Sequence, residues 1–267
     1  MLIDTHAHLA SAQLRNEVPE IVHRAESAGV TRSIAIGTDL EDSAECLALA
    51  DAHPEIHATV GIHPTSVTEI ECDNWQESLR EMAQHRRVAA IGEIGLDYFH
   101  PAPEGWSETD YRSRQAEFFT KQLNLAAELG LNAVIHQRDR GEECWRDIVD
   151  IVRPFHGRLR CVFHCFTAPW DSVAPLIEEN GHRISFTGVV TFKSAATIQH
   201  CARDAARGAF MLETDAPYLA PVPFRGKRCE PAYVRDTAEF VASLREESLD
   251  TLARHTTAAA NDFFRLS

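Results

Sequence analysis

No apolar run in the chain approaches the ~18 residues of a membrane span. The first residues, Met1-Leu2-Ile3-Asp4-Thr5-His6, lack the basic start and the apolar stretch of roughly 7–15 residues that an export signal needs, so no export is expected. No Cys-x-x-Cys occurs. The seven cysteines, Cys46, Cys72, Cys144, Cys161, Cys165, Cys201 and Cys229, are an odd set without a regular framework, which speaks against a disulfide scaffold or a zinc finger and for reduced thiols in a cytoplasm. Basic residues are scarce. The 26 Lys and Arg face 40 Asp and Glu, and the net charge of -14 repels a polyanion at long range, which argues against a high-affinity binder of duplex DNA. Any nucleic acid must be gripped locally. Internal repeats, low-complexity tracts and Gly/Ser linkers are missing too.

What is present is an ordinary globular composition: 44% hydrophobic, 25% charged and a mean hydropathy of -0.25. The 267 residues lie close to the ~250 of one (β/α)8 barrel, so a single domain over residues 1–267 is expected. Short apolar runs alternate with longer amphipathic ones. Strands are predicted at Leu2–His6, Arg32–Gly37, Ile56–Ile62, Val88–Ile94, Ala133–His136, Arg160–His164, Arg183–Thr187 and Phe210–Glu213. Helices are predicted at Val18–Ala28, which ends at Gly29, and at Arg114–Leu129, which ends at Gly130, with Ala232–Leu244 and Leu249–Phe264 after the eighth strand. Eight strand–helix alternations predict a parallel sheet closed into a (β/α)8 barrel, an α/β fold. An open doubly wound sheet is the alternative, but no Gly-x-Gly-x-x-Gly follows the first strand. The irregular stretch His100–Asp110, with two prolines and a glycine, reads as an exposed flap after strand four.

His6 and His8 close the first strand as His-x-His, and period-two alternation puts both on one face. Ligand-type residues recur at later strand ends: Glu93, His136, His164 and Asp215. Barrel enzymes place their chemistry at the C-terminal ends of the strands, so these six side chains are expected to converge there. Six ligands exceed the needs of one tetrahedral ion, so two divalent ions are expected, with Glu93 bridging. The expected split is His6, His8, Glu93 and Asp215 at one ion, and Glu93, His136 and His164 at the other. Imidazole-rich ligation suits Zn, Mn or Co better than Mg, although an open, watery site can run on Mg.

With their neighbours, these residues make the chain resemble the TatD family of metal-dependent deoxyribonucleases. The resemblance rests on IDTHAHL at 3–9, GIHP at 61–64, IGEIGLDY at 91–98, VIHQRD at 134–139, VFHCFT at 162–167, ISFTG at 184–188, LETDAPYLAP at 212–221 and GKRCEP at 226–231. It implies a (β/α)8 metallohydrolase active on DNA, often as a 3′→5′ exonuclease, with ligand roles at His6, His8, Glu93, His136, His164 and Asp215. It also implies that His63 and Arg225 lie near the scissile phosphate. Cys229 stands where relatives usually have Asn and Ala216 where Thr is common, which bears on substrate preference. Two other readings stay open. One is hydrolysis of a small amide, lactone or phosphate ester at the same ions, and the other is a metal-binding scaffold without activity.

Further candidates surround this set. His63 can donate to a phosphate oxygen or a water, or it can be a plain turn residue before Pro64. Glu213 lies two residues before Asp215 and reads as a carboxylate that orients a ligand, or as one half of a buried ion pair. Arg138, Arg140, Lys193, Arg225, Lys227 and Arg228 follow strand ends and can clamp phosphates; for Lys193 and Arg140 a solvated charge is preferred. Tyr98, Phe99, Phe166, Trp170, Tyr218 and Phe224 can stack bases or pack the loops. The expected catalytic groups are Asp215 as base, Glu93 and His63, with His63, Arg225 and Arg138 binding substrate. The expected substrate is single-stranded DNA or DNA ends, and no membrane or obligate protein partner is expected.

Overall fold

All eight predicted apolar runs become strands: β1 (Leu2–Ala7), β2 (Val30–Ala35), β3 (Ile56–Val60), β4 (Val88–Asp97), β5 (Asn132–Arg138), β6 (Cys161–Phe163), β7 (Arg183–Phe186) and β8 (Phe210–Leu212). The computed structural model describes residues 1–266. Each strand pairs in parallel with the next in chain order, and α1 to α7 fill the connections. The sheet closes where β8 runs back to β1: Asp215 N–H donates to the His6 carbonyl at 2.9 Å and His8 N–H to the Ala216 carbonyl at 2.7 Å. The fold is a (β/α)8 barrel.

The connecting helices are α1 (Val18–Ser27), α2 (Leu40–Ala52), α3 (Trp75–Ala83), α4 (Glu108–Leu129), α5 (Glu143–Val152), α6 (Ala174–Asn180) and α7 (Ala196–Asp204), followed by α8 (Val234–Leu244) and α9 (Leu249–Phe264). The expected flap is shorter than His100–Asp110, because its last three residues open α4. Ser107 Oγ accepts the Asp110 N–H at 3.1 Å, and the acidic Glu108 and Asp110 suit the positive end of a helix dipole. Gly130 caps α4 in the left-handed region, at φ 67°, as expected. Near the C-terminus, Pro231–Tyr233 forms a 3₁₀ turn, so α8 starts two residues after the predicted point.

Inside the barrel, Ile3, Ile34, Val134, Val162 and Met211 come from five different strands and pack with Phe263 and Phe264 of α9. That arrangement places α9 under the N-terminal ends of the strands. Asn132 Nδ2 donating to the Phe263 carbonyl at 2.6 Å, and Arg160 pairing with Asp262 at 2.5 Å, hold it there. Burying one such phenylalanine is worth roughly 1.5–3 kcal/mol. The opposite mouth is left for polar side chains.

Two strands are bulged on the way to that mouth. Between the pairs Asp4–Ser33 and Ala7–Ala35, β1 has one residue more than β2, and between Ile91–Ala133 and Ile94–Ile135, β4 has one more than β5. The extra residues lie at Thr5-His6 and Gly92-Glu93. A bulge re-aims a side chain that regular pleating would turn elsewhere. Gly95, at φ 142°, completes the second bulge, and a Cβ there would strike the His136 backbone.

Candidate metal centre

The mouth gathers the other five ligand-type residues around Glu93. β1 delivers His6, and His8 follows one residue past its end; both aim Nε2 at the same carboxylates. His6 Nε2 lies 3.3 Å from Glu93 Oε2 and 3.7 Å from Asp215 Oδ1, while His8 Nε2 lies 3.8 Å and 3.2 Å from the same two atoms. The other oxygen of Glu93 faces a second pair. Oε1 is 2.7 Å from His136 Nδ1 and 2.7 Å from His164 Nε2. Glu93 and His136 do not end their strands as predicted: β4 runs four residues beyond Glu93 and β5 two beyond His136.

The chemistry of this donor set fits divalent cations. Neither ring nitrogen of the fully buried His6 has a hydrogen-bond partner, a costly state for a polar group unless something else binds it. Three sets of ligand atoms each lie within 4.8 Å of one another: His6, His8 and Glu93; His6, His164 and Asp215; and His63, Glu93 and His136. Glu93 belongs to two of them.

Electrostatics tell the same story. Burial alone would push the Glu93 carboxyl up, but the imidazoles of His164, His6 and His63 hold it well below the usual range. Burial likewise opposes the charged form of Asp215, and His8 outweighs it to hold that carboxyl low. Burial disfavours His164 and His136 as cations, yet Glu93 with Glu213 raises the first and Asp97 with Glu93 raises the second. Burial and the neighbouring His164 push His6 down. The mouth is thus built for positive charge between its carboxylates.

Groups outside the set hold it in place. His136 gives its Nε2–H to Asp97 Oδ2 at 3.1 Å, which leaves Nδ1 to face Glu93. His164 Nδ1 lies 3.5 Å from Glu213 Oε1, and that same oxygen accepts the Cys165 N–H at 2.7 Å. Glu213 therefore stands behind the His164 ring as a charge partner that favours its cationic form. Asp4, with its carboxyl pushed up to about 8 by burial, accepts the Thr214 hydroxyl at 2.7 Å and the Thr214 N–H at 2.9 Å, tying β1 to the segment that presents Asp215.

His63 follows β3, and its tautomer is set by the backbone. Nδ1 accepts the Thr65 N–H at 3.2 Å and lies 2.7 Å from the Thr65 hydroxyl, so the proton sits on Nε2, 3.6 Å from Glu93 Oε1. Burial, and then the neighbouring His136, lower its pKa to about 3, so this ring stays neutral. It is a hydrogen-bond donor in the mouth.

The remaining candidates part company. Arg138 lines the central cavity and stacks over Phe99 at 4.3 Å, with Arg140 4.9 Å from the same ring. Arg225 does not line it; its guanidinium lies over the face of Phe192 at 4.4 Å. Arg228 is engaged by Glu17 at 2.8 Å, and Lys227 lies over Phe224. Tyr218, 52% exposed, stands at the rim. Phe166 is buried, Phe224 stacks on Tyr233, and the Tyr98 hydroxyl donates to Asp147, so these three serve packing and loop anchoring. Away from the mouth, His255 on α9 forms a tight pair with Glu247 at 3.1 Å.

Asp97, His100 and Asp4 had no role in the sequence reading. Asp97 lies inside the IGEIGLDY block four residues after Glu93, and two residues of that spacing on a strand share a face. That was the available signal.

The family model described as TatD related DNase matches residues 3–265. The chain belongs to this family. Curated relatives in the TatD family include the metal-dependent hydrolase YabD of Bacillus subtilis, 33% identical over 270 residues and 100% of both chains. Another is the metal-dependent hydrolase YcfH of Escherichia coli K12, 33% identical over 99% of this chain and 95% of the relative. Among solved structures, the TatD homologue YJJV of Escherichia coli K12 superposes with a TM-score of 0.88 at 26% identity, covering 100% of this chain and 98% of that one. The chain is a TatD-family metal-dependent hydrolase.

Proposed function

We propose that this TatD-family hydrolase cleaves phosphodiester bonds of DNA, working as a 3′→5′ exonuclease on strand ends or short single strands. The observation that carries the reading is the placement of Glu93, whose two oxygens face two separate groups of ligand atoms. One divalent ion would be held by His6, His8, Glu93 and Asp215, and the other by Glu93, His136 and His164. Ions there supply Lewis-acid charge for a phosphate oxygen and lower the pKa of a water toward ~7. Imidazole-rich ligation favours Zn, Mn or Co over Mg.

The chain's own residues do the rest. Asp215, 15% exposed at its side chain and open to the cavity, accepts the proton of the attacking water. His63 Nε2–H, which has no protein acceptor at hydrogen-bond distance among the described residues, donates to a phosphate oxygen as its charge builds. Arg138 offers a guanidinium at the wall, pre-set by its stack on Phe99. A cavity of about 460 Å³ and the -14 net charge favour a strand end over a long duplex.

The test is a side-by-side assay of labelled single-stranded DNA, abasic DNA, RNA and small esters, with and without chelator. Release of 5′-mononucleotides from DNA 3′ ends, abolished by chelator and restored by Mn or Zn, is the expected result. Turnover of small esters with none on any DNA would overturn the reading in favour of a small-molecule hydrolase.

A further inference from the structure

The cavity that opens onto Glu93 is lined by five imidazoles: His8, His63, His100, His136 and His164. His8, His136 and His164 point ring nitrogens at the carboxylates of the centre. His63 is fixed as a neutral donor by Thr65. That leaves His100, which lies in the loop between β4 and α4, 47% exposed at its side chain.

Its attachment is specific. His100 Nδ1 lies 2.9 Å from Asp97 Oδ2, and Asp97 is buried and accepts from four groups: the N–H groups of Phe99 and His100 on Oδ1, both at 2.9 Å, and the rings of His100 and His136 on Oδ2. A carboxylate that takes four donors has no proton of its own to give, so Nδ1 of His100 bears a hydrogen. Nε2 is then left without a protein hydrogen-bond partner among the described residues, on a residue that lines the cavity. Phe99 flanks the ring edge-to-face at 5.3 Å, and on the β5 side the charged neighbours are Arg138 and Arg140, both over the Phe99 ring. A buried Asp that holds the Nδ1–H of an imidazole, and so fixes its orientation, is the arrangement that lets a histidine transfer protons through the other nitrogen.

We propose that His100 is a further catalytic residue, the proton donor to the leaving oxygen, with Asp97 as its positioning residue. This rests on the phosphodiesterase reading above. In the step, the water oxygen forms its bond to phosphorus and its proton passes to Asp215. The bond from phosphorus to the leaving oxygen breaks, and that oxygen keeps the electron pair. It takes a proton from Nε2 of His100, whose Nδ1–H stays on Asp97. When the alcohol departs, Asp215 releases its proton to solvent and His100 takes one up, so the net change is diester plus water to monoester plus alcohol. One oxygen of Asp97 thereby serves both the ring that faces Glu93 and the ring that protonates the product.

The test compares two substrates of the metal-loaded protein: the thymidine dinucleotide, whose leaving group is a 3′ alkoxide, and the 4-nitrophenyl ester of thymidine 5′-phosphate, whose leaving phenoxide is stable without a proton. His100→Phe and His100→Gln should both lower kcat on the dinucleotide by roughly 10²–10⁴-fold, with a far smaller loss on the nitrophenyl ester. Metal content, measured on the same samples, should match wild type, as should the circular dichroism spectrum. Tyr218→Phe, which removes a hydroxyl from the rim of the same cavity, should not show the split. Equal losses on both substrates, no loss on either, rescue by Gln, or the split appearing in Tyr218→Phe would each overturn the assignment of His100. Wild-type protein inert on both substrates would instead sink the phosphodiesterase reading on which it rests.

Discussion

Asp97 Oδ2 lies 3.1 Å from Nε2 of His136, on the opposite nitrogen from the one that meets Glu93 at 2.7 Å. The two residues are 39 positions apart in the chain, on adjacent strands. Asp97→Ala should therefore weaken metal binding by about 10–100-fold, the usual effect of losing a carboxylate behind a ligating imidazole. Isothermal titration of the apo protein with Zn or Mn measures it. Wild-type affinity in a folded Asp97→Ala protein would show that His136 needs no such support.

Glu93 is the common member of both ligand groups, so Glu93→Ala should lose more metal than any other single ligand change. Elemental analysis after refilling with Mn or Zn should approach two ions per wild-type chain and fall well below one in this variant. His8→Ala, which touches only one group, should keep at least one ion. A wild-type protein that stays metal-free after refilling would remove the basis for two-ion chemistry.

Asp215→Asn keeps a ligating oxygen but cannot take a proton from water. Turnover on a short DNA oligomer should fall by roughly 10²–10⁴-fold while most metal remains. Near-normal kcat in a metal-replete Asp215→Asn protein would pass the role of base to another group.

At the far end of the barrel, His182 Nδ1 accepts the Cys161 N–H at 2.8 Å, tying the start of β7 to β6. Burial first, then the nearby His156 and Arg183, push its pKa down to about 4. In the unfolded chain the same ring takes a proton near 6.5. The unfolded state thus binds more protons between those values, and stability that is complete above pH 6.5 is lost as pH falls toward 4, by at most about 1.4 kcal/mol per unit. Urea midpoints at pH 7 and pH 5 should separate by less in His182→Gln than in wild type. Equal separations would mean that His182 does not hold a depressed pKa.

The architecture was legible because it rests on local patterning. Apolar runs such as Val88–Ile91 and Cys161–Phe163 are too short for helices and read as buried strands, and eight of them alternating with amphipathic stretches leave a closed parallel barrel as the economical solution. Residue type after the apolar runs marked Glu93 and the five ligand-type groups around it, since chemistry-bearing side chains there share one mouth, although Glu93 and His136 lie inside their strands rather than at the ends. Loop boundaries were less legible. Ser107 turned the last three residues of the expected flap into helix through a single side-chain cap.

By itself, then, the sequence determined the strand count, their order and the kinds of atom that gather at the mouth. Only the tertiary structure decided which atoms face which. The bulges in β1 and β4 aim His6 and Glu93, and no period-two count contains an inserted residue. Closure of the barrel puts Asp215 beside His8, 207 residues away, and pairing of β4 with β5 puts Asp97 behind His136. Arg225, read as a phosphate ligand, went to the face of Phe192, while His100, unassigned, was hooked by Asp97 onto the cavity wall. Such choices depend on hydrogen bonds and stacking between segments distant in the chain, and those form only once the barrel brings them within a few ångströms.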